Sequence, residues 1–432
     1  MQKPELGDRS SQGALVTTEK SSFRRVLANR SIFALWLTQT VSQMGDYAFN
    51  VALLWYVLES TRSILLVGVT QAVVATPVVI IGPLAGVYVD RFNRRNVMLA
   101  SVIFQGVVVG AFALLFATAN LDFYVLLSLV FALFSGQQFF TSAMNAYIPR
   151  AVEPRDLGAA NSLFSLSSVS NMLLGYAVGG LVLSILGVSV IVLYDCATFF
   201  AAAGLLLACS GSFGRSRAEQ KGDILSEYPS KSFVGDFKDG LSFIRSSPLL
   251  LELMVVGTIL TFFADGLIAL LPSYVSLQLD GNATTYGLVL AAAVVGGAVG
   301  SVIYGKITSR NYLGKMFIFC VSMSGLAILI LGLNTGIVVA FLAASLMGGA
   351  YFVANLCVQV LVQARVPGVL LGRVYTVFFG VLSLFAPIGA VMSGVFAGYS
   401  NPGIVYTIYG ASVFSVGVVA LLVMGKLKRA HY

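Results

Sequence analysis

Apolar residues gather into twelve long stretches along this 432-residue chain, each set off from the next by a polar gap. They run 31–58, 64–89, 96–118, 123–146, 158–182, 188–209, 248–276, 283–305, 314–333, 336–364, 371–398 and 403–425. Within them the apolar positions are continuous rather than alternating, which predicts helices and excludes the strands of a membrane barrel. At ~1.5 Å rise per residue each stretch can cross ~30 Å of hydrocarbon. The pattern predicts an all-α polytopic membrane protein with twelve transmembrane helices.

The longest interior polar stretch, 210–247, divides the spans six and six. The expected organisation is a cytoplasmic tail (1–30), a six-helix bundle (31–209), a cytoplasmic linker (210–247), a second six-helix bundle (248–425) and a short tail (426–432). Inside the linker Phe233, Phe237, Leu241 and Ile244 recur at helical spacing opposite Asp236, Lys238, Asp239 and Arg245, predicting a short amphipathic helix on the cytoplasmic face. Two pseudo-symmetric halves suggest a transporter with its site near the midplane between them.

Charge sets the orientation. Twenty-five of the 26 Lys and Arg residues fall in alternate gaps, and Arg62 alone falls in the others. Short loops rich in Lys and Arg stay on the cytoplasmic side, so both termini are expected there. The net charge of +8 therefore needs no nucleic-acid partner. With 58% hydrophobic and 10% charged residues, the chain cannot cover itself with the polar surface of a soluble domain. The first 22 residues lack the apolar core of a signal peptide, so the first span is expected to direct insertion. The four cysteines lie within spans without CxxC spacing, and the one histidine, His431, is next to last. Neither a disulfide framework nor a metal or cofactor site is expected. No Walker sequence for nucleotide binding occurs, and nothing points to an enzyme.

After the second span comes Gly82-Pro-Leu-Ala-Gly86-Val-Tyr-Val-Asp90-Arg91-Phe-Asn93-Arg94-Arg95. This run resembles the loop 2–3 signature of the major facilitator superfamily. Gly82 and Gly86, one turn apart, would admit a neighbouring helix closely. Asn93, where the family usually has Gly, tolerates a left-handed turn. The resemblance implies a conformational latch of Gly86, Asp90, Arg91, Arg94 and Arg373, with Asp90 facing the start of span 11. Tyr147–Asn161, Val366–Val374, Gly45-Asp46 and Tyr194–Phe199 are similar to the branch that includes macrolide-efflux proteins and the enterobactin exporter, drug:proton antiporters. The antiporter signature of span 5 departs from the family pattern, with Gly175-Tyr176-Ala-Val-Gly179-Gly180 placing Tyr for Pro. The second-half copy of the latch lacks its acid.

Intramembrane acids are functional candidates because a charge at the bilayer centre costs roughly 2.5–3.5 kcal/mol. Asp46 lies mid-way along span 1, with Gln39, Gln43 and Asn50 on the same helical face. Asp265 lies at similar depth in span 7, the first helix of the second half. Asp195 is nearer the outer end of span 6. Gln138 and Asn145 share a face of span 4, and Asn355 and Gln359 share a face of its symmetry partner, span 10. These residues are the expected lining of a cavity for protons and substrate. No Lys or Arg lies mid-span, so an acidic, amide-lined cavity suits lipophilic cations or neutral amphiphiles. The expectation is a monomeric, multi-pass exporter of drug-like or natural-product compounds in the bacterial inner (plasma) membrane, driven by protons. Alternatives are a siderophore or other metabolite exporter, or an uncoupled facilitator or lipid flippase.

Overall fold

A computed structural model describes residues 23–118, 121–209, 233–307, 312–428 and 430. The linker's 210–232 and His431 lie outside the described residues, as do 1–22 of the N-terminal tail. Twelve long helices follow the twelve stretches: α1 (Arg30–Thr61), α2 (Ile64–Arg91), α3 (Arg94–Ala117), α4 (Phe123–Ala151), α5 (Leu157–Leu186), α6 (Val188–Ala208), α7 (Pro248–Gln278), α8 (Ala283–Ile307), α9 (Leu313–Leu333), α10 (Ile337–Arg365), α11 (Gly368–Tyr399) and α12 (Pro402–Val423). No strand occurs among the described residues.

Polar residues in the gaps start these helices by accepting from otherwise unpaired N–H groups. Asn29 caps α1, Ser63 α2, Asp122 α4 and Asn401 α12. Asn93 corrects an expectation. Its backbone is extended (φ −63°) rather than left-handed, because its side chain caps α3 by accepting from the N–H groups of Arg95 and Asn96. Left-handed residues other than glycine among those described are Arg62 and Asp280. Gly187 (φ +79°) turns the chain from α5 into α6 in one residue.

Eleven of the twelve helices are long and apolar enough to cross a membrane. The other is α1, whose Gln39, Gln43, Asp46 and Asn50 lower its hydropathy although it is 32 residues long. Outward-facing Leu114, Ile185, Leu193, Leu342 and Leu422 are each more than 60% exposed, a belt that water would not tolerate and lipid would. Tyr124 at the start of α4 and Tyr399 at the end of α11 are 76% and 91% exposed, as aromatic side chains at a headgroup boundary are.

One buried apolar cluster is drawn from residues 26–206 and another mostly from 244–430. The first six helices meet the last six chiefly along α2–α11 and α5–α8. Those seams are tight at the end away from the basic loops. Gly68 lies against Gly394, Gly180 lies against Gly287, and the hydroxyls of Ser184 and Thr284 are 2.6 Å apart. Trp55 stacks on Tyr286 across the same end. At the basic end, side chains added at Gly86, Gly158, Gly305 or Gly372 would meet no neighbouring helix within 4 Å. The two sets of helices are joined at one end and parted at the other. The close approach expected at Gly82 and Gly86 is accordingly not made, since only the Gln138 amide comes near Gly82, at 3.9 Å.

The amphipathic linker helix forms over Phe233–Ser246. It docks on α11 and α7, with Ile244 fully buried and Gly240 against the Arg373 backbone.

Candidate functional site

A cavity of about 310 Å³ lies between α5 and the helices α7, α8, α9, α10 and α12. Phe263, Tyr351, Phe352 and Tyr406 give it aromatic walls, Met172 and Tyr176 of α5 close it, and Asp265 is the one charged residue of its lining. Asp265 is positioned by close helix packing. Gly266, the next residue, lets α7 press against the Gly389 carbonyl of α11 and the ring of Tyr409. The side chain of Gln71, from α2, comes near Asp265 and so reaches across from the first six helices. Tyr406 donates to the Leu267 carbonyl at 2.9 Å, and Asn355 donates to the Tyr351 carbonyl at 3.0 Å, which fixes this wall.

Asp46 does not line that cavity. It is half-buried on α1, with the side chain of Gln137 from α4 near it. The rest of its polar face is zipped to α5. Gln39 donates to Ser168 at 2.9 Å and to Gln43 at 3.3 Å, and the Gln43 oxygen also accepts from Ser168 at 3.1 Å and Asn171 at 3.3 Å. Trp36 donates to Ser167 at 2.6 Å. Apart from the Gln39–Gln43 bond within α1, these hydrogen bonds hold α1 on α5, so Gln39 and Gln43 serve helix packing in this conformation.

Asp195 is fully buried against α1, not near interfacial water. The remaining amides are spread out: Asn50 and Gln138 are half-buried, while Asn145 and Gln359 are exposed. Asp90 and Arg373 are not paired with each other in this conformation. Asp90 and Arg91 are exposed, Arg94 is half-buried, and Arg373 pairs with Asp236 at 2.8 Å and Asp239 at 3.1 Å from the linker helix. The reason is the parted basic end, which leaves the nearest acids to Arg373 on the linker helix. Glu252 accepts from the backbone N–H of Leu427 at 2.6 Å, tying α7 to the C-terminal turn rather than to the linker.

Gln71 and Gln137 escaped the sequence reading. Gln71 is a lone amide in an apolar span, and Gln137 sits beside Gln138 with nothing in the sequence to show which of the two faces α1. The tertiary structure alone supplies their acids.

A second ion pair joins the segment before α1 to the start of α5. Arg25 contacts Asp156 through Nη2 at 2.7 Å and Nε at 3.2 Å. This hydrogen-bonded pair holds the guanidinium pKa above its ordinary value. Among the described residues no group of three or more His, Cys, Asp or Glu is placed to hold a metal.

The sequence pattern of the transmembrane secretion effector family matches residues 23–431. Macrolide efflux protein A of Streptococcus pyogenes is 23% identical over 399 residues, covering 90% of this chain and 95% of that protein. The enterobactin exporter EntS of Shigella boydii is 25% identical over 411 residues, covering 92% of each. Among solved structures, the nucleoside transporter NupG superposes with a TM-score of 0.71 at 12% identity, covering 91% of this chain and 98% of its own. At that identity the likeness is one of fold. The twelve-helix arrangement, the match along almost the whole chain and the shared fold agree. This multi-pass membrane protein belongs to the transmembrane secretion effector family of major facilitator transporters.

Proposed function

We propose that the protein exports lipophilic cations or neutral amphiphiles from the cytoplasm by alternating access, driven by protons. The observation that carries this reading is the cavity around Asp265: apolar and aromatic walls, a single acid, and a position where one set of six helices meets the other. Its volume is at the lower end of the ~300–1,000 Å³ of drug-binding pockets, enough for a small amphiphile or for one part of a larger one. Aromatic faces attract a cation, and the carboxylate fixes it. The efflux relatives favour outward transport.

On this reading α1 is the twelfth span, both termini are cytoplasmic, and the two bundles 31–209 and 248–425 rock about the midplane in a bacterial inner membrane. The parted end is then the cytoplasmic mouth, where substrate enters. When that mouth closes and the glycine seams open, Arg373 exchanges Asp236 and Asp239 for the Asp90 latch. Gln71 of α2 approaches Asp265 of α7 from the other set of helices, so parting the two sets at the glycine seams withdraws it.

The test is uptake of tetraphenylphosphonium into inside-out vesicles under an inward-acidic gradient. Asp265→Asn is expected to lower uptake at least tenfold, the loss of one charge-assisted contact of roughly 1.5–3 kcal/mol. Uptake by Asp265→Asn equal to wild type would remove the cavity from the mechanism and leave metabolite export or flipping as the better reading.

A further inference from the structure

Asp195 of α6 is 0% exposed, and neither of its carboxylate oxygens has a hydrogen-bond donor. The nearest hydroxyl, that of Thr198, donates instead to the backbone carbonyl of Asp195 itself, at 2.7 Å. The carboxylate points at α1, and Gly45 makes the space for it, since a side chain at Gly45 would collide with Asp195 Oδ1. The next residue on α1, Asp46, carries a second carboxylate one position along from this contact. The sequence pair Gly45-Asp46 therefore has a physical meaning: the glycine admits one acid next to the position of a second.

The surroundings hold nothing to balance two negative charges. The other titratable groups near the pair are Tyr47 on α1, Tyr176 on α5, and Tyr194 and Cys196 on α6. The thiol of Cys196 is directed to the Gly106 carbonyl of α3 at 3.5 Å. Gln137 of α4 lies near Asp46. The cations of these helices, Arg30, Arg94, Arg95 and Arg150, all sit at the helix ends. A buried carboxylate beside a half-buried one, without a cation or a full set of donors, does not stay ionised together with it, so the two take up a shared proton.

We propose that Asp46 and Asp195 form a one-proton site, separate from the cavity that holds Asp265. The proposal refines the proton-driven export reading by assigning proton and substrate to different places. A proton arrives from water at the half-buried Asp46. It forms an O–H bond on one of the two carboxyls, where the other carboxylate accepts that hydrogen. It leaves as a proton from the same oxygen once the opposite side is open; no other bond changes. Tyr47, beside Asp46, lies edge-on to Tyr176 at 5.2 Å, and Tyr176 lines the substrate cavity. Those two rings form the direct side-chain connection between the sites, with Tyr176 standing where the antiporter signature has proline.

The experiment is infrared spectroscopy of the purified full-length protein near pH 7.5, alongside tetraphenylphosphonium uptake in inside-out vesicles. Wild type is expected to show the C=O stretch of a neutral carboxylic acid. That band should disappear in Asp195→Asn, shift in Asp46→Asn, and persist in Asp265→Asn. Asp195→Asn is also expected to lower gradient-driven uptake at least tenfold. A band that survives Asp195→Asn, or that Asp46→Asn leaves unshifted, overturns the proposal, as does wild-type uptake by Asp195→Asn. If wild type moves no tetraphenylphosphonium, the substrate reading fails, and the band still decides the proton site. Asparagine is nearly isosteric with a neutral aspartic acid, and Asp46→Asn provides a second variant should Asp195→Asn fold poorly.

Discussion

Substituting Gly180 by alanine tests the parted-and-joined geometry directly. A Cβ at Gly180 would lie 2.6 Å from the Ala283 carbonyl oxygen and 2.9 Å from Gly287 Cα. Both are backbone atoms and cannot rotate away, so the α5–α8 seam must widen. Overpacking of this kind costs about 1–3 kcal/mol. Alanine also gains up to ~1 kcal/mol over glycine in helix propensity, but it does so in both conformations and cancels from their equilibrium. The penalty falls only on the conformation in which this seam is closed, so the balance moves roughly 5–150-fold towards the opposite one. Spin labels at Leu186 and Leu288, exposed positions on either helix, would report the change as a longer distance. The four free cysteines are first replaced by alanine. Gly180→Ala should shift the distance distribution towards longer values, and Gly180→Val should shift it further. If both variants keep the wild-type distribution, the seam is not a close-packed contact and the reasoning is wrong.

Two further outcomes follow from the ion pairs at the basic end. Arg373→Ala removes contacts to Asp236 and Asp239 that are 24–37% exposed, worth about 0.2–1 kcal/mol each. Hydrogen exchange across 233–246 should then speed up by roughly 2- to 30-fold and no more, because Ile244 still anchors the helix; unchanged exchange would deny the pairing any part in docking. Arg25→Ala should lower the melting temperature by the same amount at pH 7 and pH 9. The folded pKa of Arg25 is raised, so its contribution is complete below the unfolded value and is lost only as pH climbs through the folded one, far above this window. A difference that fades by pH 9 would contradict that account.

What the sequence determined here is what a single helix can express. Length and apolarity placed all twelve helices within a few residues, because in lipid each span must satisfy its own backbone. The α1 stripe of Gln39, Gln43, Asp46 and Asn50 was legible for the same reason, since residues four apart share a face. The linker helix was equally visible in the spacing of Phe237, Leu241 and Ile244. Which helix each face meets is a property of the assembled bundle. Only the tertiary structure showed that Gln39 and Gln43 are spent on Ser168 and Asn171, that Gln71 reaches Asp265, and that Asp195 turns inward onto Gly45. The latch shows the same limit from the other side. Asp90 and Arg373 are recognisable in the chain, yet whether they meet is decided by how the assembled helices are arranged, and here Arg373 pairs with the linker helix instead.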